Sequence, residues 1–230
     1  MTFTLPKYSL YAFLFSSLIY LAFVSFITYP ITTMLKPIPI ICLIMGVLQK
    51  DLFPQAKMLM ISALSFSLLG DVVLTLPISL SMELGIGCFL LVHCCYISLF
   101  LKVFKYRSSQ LGYYLLVLIF MSVFVSILIP KLGSLLIPVI IYVIVLLLML
   151  FCAFQVKYQG LTIGCGALSF ALSDISLAFS MFVYPQLDTR VFVMLSYYTA
   201  QLLLIWGLVI IYKQERYSAA DGEEMNLRFV

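Results

Sequence analysis

The feature that most constrains this chain is a series of long apolar runs separated by short polar breaks. Eight such runs follow one another: Tyr8–Tyr29, Pro37–Gln49, Met58–Leu76, Leu84–Leu101, Leu111–Ile129, Ser134–Phe154, Leu161–Val183 and Val191–Tyr212. An α-helix needs about 20 predominantly apolar residues to cross the hydrocarbon core of a bilayer. Because the runs are apolar throughout and do not alternate, they indicate helices and argue against a transmembrane β-barrel.

The composition agrees with a membrane protein. Of the 230 residues, 64% are apolar and 10% are charged, against roughly 45–50% and about 25% in soluble domains. This balance excludes a soluble enzyme, a disordered regulator and a nucleic-acid-binding protein, despite the net charge of +4. We predict an all-α, polytopic membrane bundle of eight transmembrane helices, with one domain over residues 1–212 and a charged cytoplasmic tail over residues 213–230.

The basic residues predict the orientation of this bundle. Of the 13 Lys and Arg residues, ten fall on one side of an eight-span arrangement and three on the other. Because cytoplasmic loops carry the excess of Lys and Arg, both termini are expected in the cytoplasm. The first run lacks a small-x-small cleavage site, so it is expected to be a retained helix. We expect a multi-pass protein of a bacterial inner membrane rather than of a eukaryotic endomembrane.

Three ionisable residues lie inside the predicted spans: Asp71, Asp174 and His93. A charge at the bilayer centre costs at least about 2.5–3.5 kcal/mol, so such residues usually face a cavity and serve function. At 1.5 Å per residue, all three lie ~9–14 Å from the predicted outer ends of their spans. The last span adds polar groups at the same level: Tyr197, Tyr198 and Gln201. The alternative is a set of polar clamps, with each Asp neutral and bonded to a Ser or Tyr and His93 satisfied in the core.

The segments around the two aspartates are similar to each other. Ser67–Leu74 reads SLLGDVVL and Phe170–Leu177 reads FALSDISL, and the aspartates are 103 residues apart, nearly half the chain. This spacing predicts a parallel duplication of two four-helix halves. The small residues that precede the aspartates, Gly70 and Ser173, allow helix backbones to approach closely.

Paired carboxylates fit these residues better than other catalytic chemistries do. A catalytic zinc ion takes three strong protein ligands, whereas this chain has one His, so neither a metal nor another cofactor is predicted. The sequence has no G-x-S-x-G elbow, no phosphate-binding Gly-rich loop and no dinucleotide fingerprint. Two carboxyl groups in one low-dielectric site divide into a proton donor and an ionised base.

A set of short motifs then points to a family. The motifs are Lys36-Pro37-Ile38-Pro39, Gly70-Asp71, His93 with Tyr96, the small-residue stretch from Gly166 to Ser173-Asp174, and Tyr198 with Gln201. In combination they resemble the YhhN-type lysoplasmalogenase family of eight-span membrane proteins. The resemblance implies hydrolysis of the 1-alkenyl ether bond of lysoplasmalogens to a fatty aldehyde and glycerophosphocholine or glycerophosphoethanolamine. The expected partners are the lysophospholipid substrate and membrane lipids.

The chemistry of a vinyl ether suggests roles for these residues. Hydrolysis begins with slow protonation of the β-carbon, which produces an oxocarbenium ion that water captures. We hypothesise that one of Asp71 and Asp174 is the acid, while the other stabilises the cation and activates water; the sequence does not distinguish them. Supporting residues are expected to orient the carboxyl groups or the water: His93, Tyr96, Ser173, Tyr197, Tyr198 and Gln201.

Lys36 is a candidate for binding the lipid phosphate, because it lies at the predicted outer end of the second span. An interfacial lysine that snorkels to the headgroups explains it equally well. Two other functions remain open at this point, a proton-coupled carrier of lipids or small molecules and an intramembrane aspartyl protease. The protease is disfavoured, because Leu68-Leu69-Gly70 replaces its usual Gly-x-Gly before Asp71.

Overall fold

The computed structural model describes residues 5–227, and it describes their side chains as far as residue 217. Within that range the chain forms nine α-helices. They are α1 (Lys7–Phe23), α2 (Ile31–Leu35), α3 (Ile38–Leu48), α4 (Pro54–Val73), α5 (Ser81–Lys102), α6 (Leu111–Leu128), α7 (Leu136–Phe154), α8 (Gly160–Ala178) and α9 (Arg190–Leu227). A π-helical turn, Phe179–Val183, follows α8. Apart from an isolated bridge between Phe104 and Val156, the described part of the chain contains no β-structure.

The all-helical, multi-pass architecture predicted from the sequence is confirmed. Seven segments of the described chain are long and apolar enough to cross a membrane: Ile31–Leu48, Pro54–Val73, Ser81–Lys102, Ser108–Lys131, Gly133–Phe154, Gly160–Val183 and Arg190–Tyr217. Helix α1 is apolar but has 17 residues, fewer than these seven. A count of eight spans, the duplication and the N-in/C-in orientation therefore stay predictions.

The second span differs from its predicted bounds. It begins at Ile31 rather than Pro37, because α2 precedes α3 with only Lys36 and Pro37 between them. The Lys36 N–H donates to the Thr32 carbonyl, so the helical path continues up to Pro37, which precedes the first turn of α3. Lys36 thus lies inside the span and not at its outer end, and its side chain is only 12% exposed.

Contacts among the helix ends and the loops between them show which helix ends lie together. At one end, Arg216 forms an ion pair with Asp51 and donates to the Leu52 carbonyl, and Lys102 donates to Gln55. At the other end, Arg190 donates to the Ser25 carbonyl from the start of α9. The breaks that carry most of the basic residues therefore meet at one end of the bundle.

Two helix pairs make the most extensive contacts in the fold, α4 with α5 and α8 with α9. Glycines permit the close approach in both pairs. A Cβ atom at Gly70 would lie 2.8 Å from the Phe89 ring, and a Cβ atom at Gly207 would lie 2.6 Å from Ile163. The pairs matter for function because α4 and α8 carry the two membrane aspartates.

Helix α9 continues well beyond the predicted last span. The span was expected to end at Tyr212, but the helix reaches Leu227. Most of the predicted tail is thus a helical extension of α9, and its last residues, 228–230, lie outside the described chain.

Candidate functional site

The first aspartate, Asp71, lies two residues before the end of α4 in a closed, charged centre. Its carboxyl is 1% exposed, and the Lys36 ammonium lies 3.2 Å from Oδ1. The Tyr197 hydroxyl, on α9, donates to Oδ2 at 2.8 Å. Because a buried carboxylate is stable only when it is paired and hydrogen-bonded, these two partners account for its burial. We call Asp71, Lys36 and Tyr197 the Asp71 centre.

The backbone of Lys36 is also bound by a residue of α9. The Tyr198 hydroxyl donates to the Lys36 carbonyl at 2.7 Å. The Tyr198 ring in turn packs edge-on against Phe13 and Tyr20 of α1, with ring centroids 6.2 and 6.1 Å apart. Neighbouring residues on α9 therefore contact opposite ends of one ion pair, since Tyr197 binds the acid and Tyr198 binds the backbone of the base.

The second aspartate, Asp174 on α8, lies in a different environment. Tyr142 on α7 donates to its Oδ2 at 2.8 Å, and His93 Nε2 on α5 lies 3.7 Å from the same oxygen. His93 Nε2 is 2.9 Å from the Tyr142 oxygen. His93 is fully buried, whereas the Asp174 side chain is 18% exposed. We call these three residues the Asp174 centre.

The hydrogen bonds of the Asp174 centre are consistent with a proton on His93 Nε2. A tyrosine hydroxyl has one proton to donate, and Tyr142 donates it to Asp174. In this arrangement His93 Nε2 carries a proton and donates to the Tyr142 oxygen. Its Nδ1 is buried and has no hydrogen-bond partner in the described chain.

Aromatic rings separate the two centres. Phe170 packs against His93 with ring centroids 4.9 Å apart and against Tyr197 at 5.8 Å. Phe89 packs against both Phe170 and Tyr197, at 6.1 and 5.9 Å. Within residues 5–227, no hydrogen bond or ion pair joins Asp71 to Asp174. The two carboxyl groups thus belong to neighbouring centres that share an apolar wall.

A third polar group links α4, α5 and α9 in the core. The Tyr96 hydroxyl donates to Gln201 Oε1 at 2.6 Å, and Gln201 Nε2 donates to Ser67 Oγ at 2.7 Å. All three side chains are fully buried. These bonds connect the helix that carries Asp71 to those that carry His93 and Tyr197, which fixes the positions of the centres relative to each other.

An apolar cleft lies beside the Asp174 centre. Its empty volume is about 680 Å³, part of which is open to the surroundings. The carboxyl of Asp174 and Tyr142 lie in its wall, and the remaining lining is almost entirely hydrocarbon, from α5, α6, α7 and the region around the π-helical turn. Asp71 does not line the cleft. The two aspartates, alike in sequence, therefore differ in access.

Most of the residues that the sequence predicts for a site contact one another in the structure, in three groups. Lys36, Asp71, Tyr197 and Tyr198 form one contact group, Tyr96 and Gln201 a second, and His93 and Asp174 a third. Ser173 differs, because its hydroxyl donates to the Val193 carbonyl at 3.0 Å and so joins α8 to α9. A supporting role for Ser173 in the reaction stays a prediction.

Sequence reasoning missed Tyr142, which bridges His93 and Asp174. The signal was present, because Tyr142 is the one side chain of α7 with an oxygen or nitrogen atom, in the run LIPVIIYVIVLLLML. Ser67 and the rings of Phe89 and Phe170 were also missed. Nothing in a single sequence distinguishes these two phenylalanines from 17 others.

The side chains that could bind a metal ion are not clustered in the described part of the chain. Within the described residues, no group of three or more His, Cys, Asp and Glu side chains is placed to hold a metal ion. The six cysteines are free and are distributed over four helices. The polar groups of the two aspartate centres are carboxyl, imidazole, phenol and ammonium groups.

Comparisons with known proteins agree with the motifs. The sequence profile of the YhhN family matches residues 31–208. Lysoplasmalogenase TMEM86B from Homo sapiens is 29% identical over 172 residues, which cover 74% of this chain and 72% of the human protein. No solved structure matches the chain significantly. The residues of both aspartate centres, from Lys36 to Tyr197, lie within the stretch that the family profile covers.

Proposed function

Because the chain belongs to the YhhN family, we propose that it is a lysoplasmalogenase, a membrane hydrolase that cleaves the 1-alkenyl ether bond of lysoplasmalogens. The products are a fatty aldehyde and glycerophosphocholine or glycerophosphoethanolamine. One observation carries the link between activity and site. A carboxyl group with histidine and tyrosine partners, Asp174, lies in the wall of an apolar cleft.

The cleft suits the long hydrocarbon chain of such a substrate. The lining that faces the chain is apolar, with Phe124, Val139 and Leu146 among its residues, so burial of an alkenyl chain is favourable. In this arrangement the vinyl ether at the polar end of the chain lies next to Asp174.

The reaction needs one acid and one molecule of water. Protonated Asp174 gives its proton to the β-carbon, a new C–H bond forms, and the double-bond electrons leave an oxocarbenium ion. Water adds to the α-carbon and loses a proton to the Asp174 carboxylate, which restores the acid. In the resulting hemiacetal, the hydroxyl proton passes to the ether oxygen as the C–O bond breaks. Aldehyde and alcohol leave, and one water is consumed.

Asp71 has a different role in this proposal. It does not line the cleft, and the Lys36 ammonium 3.2 Å away balances its charge. It holds Tyr197, whose ring packs against Phe89 and Phe170 behind His93. Asp71 is therefore a positioning residue, and of the two roles considered for the aspartate pair, proton transfer belongs to Asp174.

Lys36 fits the role of counterion to Asp71 better than that of a free phosphate ligand. Its ammonium already contacts a carboxylate, and its side chain is largely buried. Binding a lipid phosphate would require Lys36 to leave Asp71, at the cost of an unpaired buried charge. A phosphate role for Lys36 stays a prediction. The variant Lys36→Met separates the two roles, because loss of a phosphate ligand raises KM for the lysophospholipid.

The test is aldehyde release by the purified protein in detergent. We expect turnover of choline or ethanolamine lysoplasmalogen without a sealed membrane. The matched control substrate is the 1-alkyl ether analogue, which lacks the double bond that must be protonated. No release from lysoplasmalogen would refute the proposal, and activity that appears only across sealed vesicles would indicate a carrier instead.

A further inference from the structure

Tyr142 is the residue through which His93 contacts Asp174. Its oxygen lies 2.9 Å from His93 Nε2 and 2.8 Å from Asp174 Oδ2. The direct separation between His93 Nε2 and Asp174 Oδ2 is 3.7 Å, too long for a hydrogen bond. The histidine therefore acts on the carboxyl by way of the tyrosine hydroxyl.

The surroundings of His93 leave it no other hydrogen bond. Its Nδ1 is buried with no partner in the described chain, and its ring packs against Phe170 and the Tyr142 ring, with centroids 4.9 and 5.2 Å away. Within the described chain, the bond to Tyr142 is therefore the one hydrogen bond that the imidazole makes.

Tyr142 also stands in a segment that otherwise avoids polar groups. The rest of α7 offers no side-chain oxygen or nitrogen, and Tyr142 is placed where its hydroxyl reaches both α5 and α8. The hydroxyl lies beside the apolar cleft that Asp174 also lines. It is thus positioned to act on the carboxyl at the point where a substrate would meet it.

We propose that Tyr142 is a positioning residue that couples His93 to Asp174 during proton transfer, an inference that rests on the proposed function. As Asp174 gives its proton to the substrate, negative charge develops on its carboxyl group. The hydrogen bond from Tyr142 strengthens because its acceptor becomes charged, and the bond from His93 Nε2 to the tyrosine oxygen strengthens with it. His93 and Tyr142 therefore stabilise the carboxylate that forms in this step, and neither gives up its own proton.

A double-mutant cycle on lysoplasmalogen hydrolysis tests this coupling. Tyr142→Phe keeps the ring and removes the hydroxyl, and we expect kcat to fall about tenfold to a hundredfold with KM little changed. His93→Gln is expected to lower kcat by a similar factor. In the Tyr142→Phe background, His93→Gln is expected to cost less than about twofold more, because the link is already broken.

The control variant is Tyr212→Phe, which removes a buried hydroxyl bonded to the Leu99 carbonyl at 2.7 Å, away from the cleft. It is expected to leave kcat unchanged. Three outcomes would overturn the proposal: an unchanged kcat in Tyr142→Phe, a rise in KM alone, or losses from Tyr142→Phe and His93→Gln that multiply.

A second measurement is independent of the activity. The chain contains one histidine, so ¹⁵N-labelled histidine in protein purified through a histidine-free tag gives one pair of imidazole signals. We expect a proton on Nε2 and a shift of the Nε2 signal in Tyr142→Phe but not in Tyr212→Phe. An unchanged Nε2 signal in Tyr142→Phe would refute the link even if lysoplasmalogen is not the substrate. A shifted signal without hydrolysis by the wild-type protein would refute the proposed function and leave the link intact.

Discussion

The Asp71 and Asp174 centres contain the same acidic residue in similar sequence contexts, yet their surroundings differ. Asp71 is 1% exposed, pairs with a lysine and is enclosed by protein, whereas Asp174 is 18% exposed and pairs with histidine and tyrosine beside a cleft. A carboxyl group that is enclosed by protein and paired with a lysine suits a structural role more than proton exchange with a substrate. A carboxyl group in the wall of a cleft is accessible to a substrate. These surroundings support the different roles that we propose for the two aspartates.

The partners of the two aspartates come from corresponding places in the chain. Asp71 on α4 is bound from the segment before α3 and from α9, whereas Asp174 on α8 is bound by Tyr142 of α7, which also contacts His93 of α5. In the predicted duplication, α5 ends the first half and α9 ends the second. The Asp71 centre then combines a residue from its own half with one from α9, and the Asp174 centre combines a residue from its own half with one from α5. This exchange is in keeping with the duplication that the sequence predicts, with Lys36 and Tyr142 as the partners that differ between the two halves.

The largest expected effect is that of Asp174→Asn on turnover. Because the amide cannot supply the proton, kcat should fall about a hundredfold to ten-thousandfold, measured as aldehyde release in detergent. Asp71→Asn, the matched variant at the other centre, should cost less than about tenfold in protein that remains folded. Equal losses from the two variants would contradict the division of roles, and near-normal turnover in both would exclude any catalytic part for the pair.

Lys36→Met is expected to have the largest effect on stability, because it leaves the Asp71 carboxylate buried without its cation. Losing one member of a buried pair costs about 3–5 kcal/mol, read from unfolding in detergent. The double variant Lys36→Met with Asp71→Asn should recover most of this loss. Asp51→Asn is the control, since its pair with Arg216 is exposed and should contribute no more than about 1 kcal/mol. Similar losses from Lys36→Met and Asp51→Asn would contradict this description of the Asp71 centre.

Tyr197→Phe should have a smaller effect on stability than Lys36→Met. It removes one hydrogen bond to Asp71 and keeps the ring that packs on Phe89 and Phe170, so the expected loss is about 1–3 kcal/mol. Turnover should change only a few-fold, in contrast with Tyr142→Phe. A loss of kcat in Tyr197→Phe that matches Tyr142→Phe would place Tyr197 in the proton-transfer step.

Ala178→Phe is expected to narrow the cleft that Asp174 lines. It should raise KM for long-chain lysoplasmalogen several-fold and change KM for a short-chain analogue less, because the ring takes up space expected for the alkenyl chain. Leu161→Phe, at a position 82% exposed, is the control. An equal effect on both chain lengths would show that the chain binds elsewhere.

The smallest effect concerns a third acid, Asp188, in the loop before α9. The Arg190 guanidinium lowers the pKa of Asp188 from 3.8 to about 2, so the folded state favours the ionised form. The stabilisation is present above about pH 4 and is lost as the pH falls toward 2. Since the pair is about half exposed, Asp188→Asn should cost no more than about 1 kcal/mol at neutral pH. A stability difference from wild type that persists below pH 2 would contradict this assignment.

Much of the site was predictable because charge in a membrane is rare. Asp71, Asp174 and His93 stand out in apolar spans, and Tyr197 and Gln201 fall at the same level of the last helix. Lys36 was predicted at the end of a span, because Pro37 suggested that the helix starts there. The helix turn α2 precedes it instead, which brings the ammonium inside to Asp71. Tyr142 was overlooked because a single tyrosine in an aliphatic helix is usually an ordinary core residue.

The sequence by itself determined that this chain forms apolar helices, which residues are costly to bury and that the two aspartates share a context. These properties follow from local composition and from the free-energy cost of placing a charged group in hydrocarbon. Only the tertiary structure decided that Lys36 pairs with Asp71, that Tyr142 joins His93 to Asp174 and that the cleft opens at one aspartate alone. Those pairings join residues 32 to 49 positions apart, and such contacts depend on how the helices pack and rotate against one another, which no local pattern specifies.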